Sequence, residues 1–273
     1  MFGVVALVAV AIAAFALSRP SGRAATPWSR LGTDDVHSLS FVADDPNRLL
    51  FGHHGGLSSS TDGGRTWQSL ATRSDAMSLG AASDGSIVIA GHDVFAASRD
   101  GGRTWDNIAA KLPTLDIHGF TRDPAVPARM WAYLATGGLW ESNDGGLAWE
   151  EIQKENVLFP VAAKSSGGTR LFGVTADGLV RSDDGGRTWR TVGSPEIYPI
   201  ASLTATTDGS VLLAGGPSGL ARSNDGGATW MQMPFEGQPA AIAMTAGGQT
   251  IGIVARSTNF FRSDDGGQTW AGP

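Results

Sequence analysis

The sequence predicts an all-β fold: a six-bladed β-propeller of four-stranded antiparallel blades, preceded by an apolar N-terminal helix. Three observations lead there. One octapeptide recurs six times at a near-constant interval. Short apolar runs bounded by Gly, Asp and Pro fill each interval. A composition of 38 glycines, 9 tryptophans and only 17% charged residues fits many short strands joined by tight turns.

The six copies are Ser60–Trp67, Ser98–Trp105, Ser142–Trp149, Ser182–Trp189, Ser223–Trp230 and Ser263–Trp270. Their aspartates, Asp62, Asp100, Asp144, Asp184, Asp225 and Asp265, stand 38, 44, 40, 41 and 40 residues apart. A fixed period near 40 with strand-like flanks is what a propeller blade produces. The physics of each copy is local. The aspartate accepts hydrogen bonds from backbone N–H groups of its own turn. The Gly-Gly pair supplies positions where φ turns positive. The closing tryptophan (Trp67, Trp105, Trp149, Trp189, Trp230 or Trp270) packs a large apolar body between sheets. The octapeptide therefore reads as a hairpin staple and not as a reactive site.

Each period holds four strands. In the fourth these are Pro160–Ala163, Arg170–Val174, Gly178–Ser182 and Thr188–Val192. Such apolar runs are too short for buried helices. Blades are expected over about 33–71, 72–112, 113–154, 155–194, 195–235 and 236–273, within a propeller domain spanning 28–273. The last copy stops at Trp270–Pro273, almost without an outer strand. Trp28–Leu31 resembles Trp67–Leu70, the start of such a strand. This N-terminal piece is therefore expected to complete blade six and zip the ring shut, removing an exposed edge. Trp28 and Trp270 would then claim equivalent positions, which predicts a distorted final blade.

Met1–Leu17 is an unbroken apolar run ended by Ser18, Arg19 and Pro20. Residues 1–18 are read as a signal peptide or transmembrane anchor and 19–27 as a linker. The propeller is expected outside the cytoplasm, membrane-anchored or secreted. No Lys or Arg precedes the run, whereas Arg19, Arg23 and Arg30 follow it. Taken literally, the positive-inside rule would keep the C-terminal part in the cytoplasm. There is no cysteine, which excludes disulfides, thiolate metal sites and a Cys nucleophile. Net charge is −6 and no basic tract exists. That argues against nucleic acid, because phosphate binding needs clustered Lys and Arg.

The octapeptides resemble the Asp-box, or BNR repeat, S-x-D-x-G-x-T-W. It occurs in sialidases, in the sortilin luminal domain and in the photosystem II assembly factor propeller. The resemblance covers all six periods and implies the fold, not an activity. The chain is also similar to a bacterial family of Asp-box proteins labelled glycosylhydrolase. That family carries a D-x-H-x-L stretch and an HHGL stretch in blade one. Here these read Asp35–Leu39 and His53-His54-Gly55-Gly56-Leu57.

The sialidase-like chemistry implied by the resemblance needs three clamping arginines, a Tyr–Glu nucleophile pair and an acid/base Asp. Sialidases also carry an Arg-Ile-Pro stretch, which is missing here. Of the two tyrosines, Tyr133 sits mid-strand and reads as core. Tyr198 follows Glu196 by two residues, so both share one side of an extended segment. Glu196 and Tyr198 are the catalytic candidates, with Arg73 and Arg256 able to reach the same face. Hydrolases also need paired carboxylates. Asp35, Asp93, Asp116, Glu155, Asp177, Glu196 and Glu236 lie on the mouth side. Arg181, Arg222 and Arg262 precede the box serine in three successive blades and read as a solvated stripe.

The five histidines fall in a pattern. His37 and His118 occupy matching positions at the start of strand one in blades one and three, and Met77 the equivalent place in blade two. His54 and His92 match at the end of strand two, with His53 beside the first. All map to the face opposite the Asp-boxes. The bland reading makes them loop residues inherited by duplication. The sharper one makes them ligands for a transition metal, with Asp35, Asp93 and Asp116 as ligands or outer acceptors. Imidazole suits zinc or copper, and a thioether leans toward copper. A histidine general acid or base at the same mouth is a third reading. The expected function is a membrane-tethered module that binds a metal, small ligand or protein through this mouth. The alternatives are a glycoside hydrolase acting on extracellular glycans and an assembly factor for a membrane-protein complex.

Overall fold

The computed structural model describes residues 35–70, 72 and 74–272. The expected anchor helix over 1–18, the linker 19–27, the closing segment 28–31 and Arg73 lie outside the described residues. Among the described residues no helix is long and apolar enough to cross a membrane.

The described chain forms 23 strands and no helix. The first sheet holds β1 (Ser38–Val42), β2 (Asp45–His53), β3 (Gly56–Ser60) and β4 (Gln68–Ser69). The second holds β5 (Ser78–Ala81), β6 (Ile87–Gly91), β7 (Val94–Ser98) and β8 (Asp106–Asn107). The third is β9 (Ile117–Arg122), β10 (Met130–Leu134), β11 (Leu139–Ser142) and β12 (Glu150–Gln153). The fourth is β13 (Leu158–Ser165), β14 (Gly168–Thr175), β15 (Gly178–Ser182) and β16 (Arg190–Thr191). The fifth is β17 (Ser202–Ala205), β18 (Leu212–Gly216), β19 (Gly219–Ser223) and β20 (Met231–Gln232). The sixth has β21 (Pro239–Met244), β22 (Ile251–Ala255) and β23 (Phe260–Ser263).

Within every sheet consecutive strands pair antiparallel, in the order of the chain. The first strands stand side by side: β1 meets β5, β5 meets β9, and so on through β21, which returns to β1. This ring of inner strands is a six-bladed propeller. The second strands carry the buried runs, such as Ile87–Gly91 and Leu212–Gly216, because both of their faces are covered by neighbouring blades. The fourth strands are two to four residues long and exposed, which blunts the outer edge.

The octapeptide works as its composition dictates. In the first copy the Ser60 hydroxyl donates to Asp62 Oδ1 at 2.9 Å and accepts the Gly64 N–H at 2.8 Å. Thr66 donates its N–H to Oδ1 at 2.8 Å and its hydroxyl to Oδ2 at 2.6 Å. The first glycines of the six pairs have φ of 70–79° and the second 89–98°, a region where a Cβ is strained. Trp67 donates Nε1–H to Gly64 O and packs edge-on against Phe260, 5.5 Å away in the sixth blade. The first five tryptophans each tie their own turn in this way.

Beside β23, Ala271 exchanges both backbone hydrogen bonds with Arg262. Among the described residues the sixth sheet has three strands plus this bridge. Trp270 also departs from its five counterparts: its buried indole N–H has no partner among the described residues. The arginines, moreover, are not a solvated stripe. Arg222 donates to the carbonyls of Gly248 and Gly266 in the next blade, and Arg262 to Pro46 O across the ring closure. Arg181 binds Asp183, whose carboxylate is held at about 2 chiefly by that guanidinium. Strand three faces a neighbouring blade, so a long donor there reaches across the seam.

Candidate functional site

The channel along the ring axis is pinched by apolar side chains from the inner strands, among them Leu39, Leu79, Phe120, Val161, Leu203 and Ile242. Above this floor, opposite the octapeptide turns, lies a cavity of about 240 Å³. One side of its wall carries His37, Met77 and His118; the other carries Phe159, Ala201 and Ala240. The polar side continues outward over the turns between second and third strands, where His54 and His92 stand.

Local sequence explains the placement. Just before each of the first three inner strands runs a triplet: Asp35-Val36-His37, Asp75-Ala76-Met77 and Asp116-Ile117-His118. Extended backbone sends alternate side chains to opposite sides. Ala76 and Ile117 are fully buried, so their flanking residues turn the other way, toward the mouth. The turns after β2 and β6 lean over this rim and bring His54 and His92 down onto the carboxylates.

The result is an arc across three blades. Asp35 Oδ2, His37 Nε2 and His54 Nδ1 form a triangle with sides of 2.9, 2.7 and 2.9 Å. His54, Asp75 and His92 form a second group, in which His92 Nδ1 lies 2.5 Å from Asp75 Oδ2. His92 turns its other nitrogen, Nε2, to Asp116 Oδ1 at 3.4 Å, and His118 Nε2 lies 2.9 Å from the same oxygen. The rings also touch: His54 stacks on His92 with centroids 6.0 Å apart, and His92 meets His118 edge-on at 5.3 Å.

With Asp35 ionised, the first triangle cannot be satisfied by protons alone. Each imidazole nitrogen carries at most one hydrogen and the carboxylate carries none. With one proton, one contact joins two lone pairs. With two, the nitrogens face each other as donors 2.9 Å apart. A cation seated on one face of the triangle would remove the conflict. First-row ions with bonds of about 2.0–2.2 Å hold adjacent octahedral donors about 2.9 Å apart, which matches the triangle. Burial, with His54 beside it, lowers the pKa of His37 and keeps its ring neutral, as a ligand must be.

Asp75 supplies an independent sign. Its side chain is only 10% exposed. One oxygen takes His92, while Oδ1 is buried without a partner among the described residues. Leaving a buried carboxylate oxygen unpaired costs about 1–3 kcal/mol. Asp75 is the residue that sequence reasoning missed. The signal was present: Asp35, Asp75 and Asp116 are 40 and 41 residues apart, the blade period. Met77 in place of a histidine hid it.

The other candidates sit elsewhere. His53 is 8% exposed, stacks on Phe51 and accepts the Gly55 N–H at Nδ1, so that nitrogen serves the turn. Asp93 is an exposed turn residue with φ of 56°, its N–H bound to Leu115 O. Glu196 lines a separate cleft beside Trp230, and Tyr198 is 56% exposed. Tyr133 is buried in β10, and burial raises its pKa. Glu155, Asp177 and Glu236 are exposed, and Glu236 flanks the Trp270 cleft. Arg256 is exposed and hydrogen-bonds through its backbone to Gln238 O.

Comparison with known proteins agrees with this architecture. The family model of the BNR/Asp-box repeat matches residues 261–271. The described residues form a six-bladed β-propeller, and the matched repeat is its last octapeptide. YCF48 from Cyanidioschyzon merolae superposes with a TM-score of 0.56 at 17% identity, covering 87% of this chain and 84% of that one. A YCF48 structure with bound D1 peptide gives 0.54 at 18% identity, covering 87% and 81%. The GH74 xyloglucanase from Xanthomonas campestris gives 0.58 at 17% identity, covering 92% of this chain. The Asp-box propeller spans 47% of that enzyme's length. At such identities the likeness is one of fold. No curated protein sequence matches the chain.

Proposed function

We propose that this Asp-box propeller is a metal-binding module that holds divalent first-row transition ions at the histidine-bearing mouth. The carrying observation is the Asp35–His37–His54 triangle, whose three contacts no placement of imidazole protons satisfies while Asp35 is ionised. Asp35, His37 and His54 would hold one ion. His92, Asp116 and His118 would hold a second. Asp75 would donate negative charge to His92 Nδ1 and orient its Nε2 toward the second ion, the usual work of an outer carboxylate. Two imidazoles with one carboxylate per ion suit zinc, copper(II), nickel or iron(II). Met77 lines the same cavity and adds a soft donor that favours copper.

The apolar run Met1–Leu17 supports a membrane-tethered or exported setting. In that setting a peptide partner, of the kind one YCF48 structure carries, would approach the same exposed mouth.

The test is metal content and calorimetric titration with zinc and copper(II) on the full chain. Two ions per chain are expected. His37→Ala should remove one, His118→Ala the other, and the pair both. A chain that binds neither metal above the level of the double variant would refute the reading. Hydrolysis of a glycoside by the metal-free chain, abolished by Glu196→Gln, would establish the hydrolase reading in its place.

A further inference from the structure

The cavity beside the arc has two unlike sides, and this asymmetry carries a second step. His37, Met77 and His118 occupy one side, while Phe159, Pro160, Ala201 and Ala240 occupy the other. Among the lining residues of the apolar half only Ser202 carries a side-chain oxygen, and that oxygen accepts the Ile242 N–H. Each histidine–carboxylate group supplies three protein ligands, whereas first-row ions take four to six. Even with Met77 added to one ion, the described protein residues cannot complete both spheres. The remaining positions must be filled from outside, and His37 and His118 bring them to the rim of the cavity.

Charge narrows the chemistry. A divalent ion with one carboxylate keeps a net charge of +1, which favours an anionic donor. Shape narrows it further. The floor is a ring of Leu, Phe, Val and Ile side chains, and the facing wall is Phe159 with two alanines. A volume of about 240 Å³ admits a compact body and excludes an oligosaccharide. Resting on the metal reading above, we infer that the mouth binds a small carboxylate with a compact apolar body. Its oxygen completes the metal sphere and its apolar end packs on Phe159 above the channel floor. A free organic acid and the C-terminal carboxylate of a peptide ending in an apolar residue share this chemistry.

Cobalt(II) loaded into the full chain reports ligand exchange through its visible bands. Acetate, benzoate and the tripeptide Gly-Gly-Phe serve as probes. Both acetate and benzoate should shift the bands, with benzoate binding about tenfold more tightly because its ring is buried. Phe159→Ala should erase that preference while cobalt still binds. Ala201→Phe, which fills the cavity, should block benzoate but not azide, and it guards against a folding defect in the first variant. Gly-Gly-Phe binding as tightly as benzoate assigns the ligand to peptide ends; much weaker binding assigns it to free acids. Bands unmoved by any carboxylate, or equal affinities for acetate and benzoate, would overturn the inference while the metal reading stands. A chain that takes up no cobalt overturns both.

Discussion

The two faces of the ring are built on opposite rules. On the octapeptide face one turn is repeated six times, and each serine finds its aspartate two residues away. At the opposite mouth the repeat breaks. Blades one to three present Asp, His and Met, and blades four to six present Phe and Ala. Only this second face holds a hydrogen-bond conflict and an orphaned carboxylate oxygen. The difference teaches where stability and binding reside. The satisfied, repeated face holds the blades together. The unrepeated one carries the histidine–carboxylate arc and the cavity beside it.

Substitutions should separate the two faces. The largest effect is expected from Trp67→Ala, which empties the seam between blades one and six against Phe51 and Phe260. It should lower stability by about 3–5 kcal/mol in denaturant titration. His37→Ala in the metal-free chain should leave stability unchanged or slightly raised, because it relieves the crowded triangle. Equal losses from both would erase the division between the faces.

The faces should also titrate in different windows. The Thr229 hydroxyl and N–H, with Ser223, hold Asp225 at about 2, below its ordinary 3.8. A carboxylate with a depressed folded pKa adds stability above its unfolded value, and that stability is lost as pH falls through about 2. His37 is also depressed, by burial and by His54, from an ordinary 6.5. The unfolded chain then binds the extra proton first, so its contribution is complete above pH 6.5 and declines as pH falls below it. Melting of the metal-free chain should therefore soften first below pH 6.5 and collapse only below about 4. His37→Ala should shrink the first step and leave the part due to His53, whose pKa burial also lowers.

The smallest effect concerns the one imperfect staple. The third copy has Ala148 where the five others place a threonine hydroxyl on Asp Oδ2 at 2.5–2.7 Å, as Thr66, Thr104, Thr188, Thr229 and Thr269 do. Ala148→Thr should add about 0.5–1.5 kcal/mol, seen as a higher melting midpoint, with metal uptake unmoved.

Much of this was legible in the chain itself. The octapeptide fixes most of its own geometry, because the partners of its serine and aspartate lie within one turn and its glycine pair has positive φ. Its spacing sets the blade number, and short apolar runs between turns cannot become helices. The four histidines of the mouth could be placed on one face by blade register alone. What needed the tertiary structure was distance and seam. Sequence register gave no reason to separate His53, which folds back on Phe51, from His54, which meets Asp35. It hid Asp75 behind a methionine, and it left Arg222 and Arg262 in solvent when they bridge blades. The physical reason is common to all three. A turn is closed by neighbours in the chain, whereas a seam and a mouth are closed by residues some 40 positions away, whose approach is decided only when the ring is assembled.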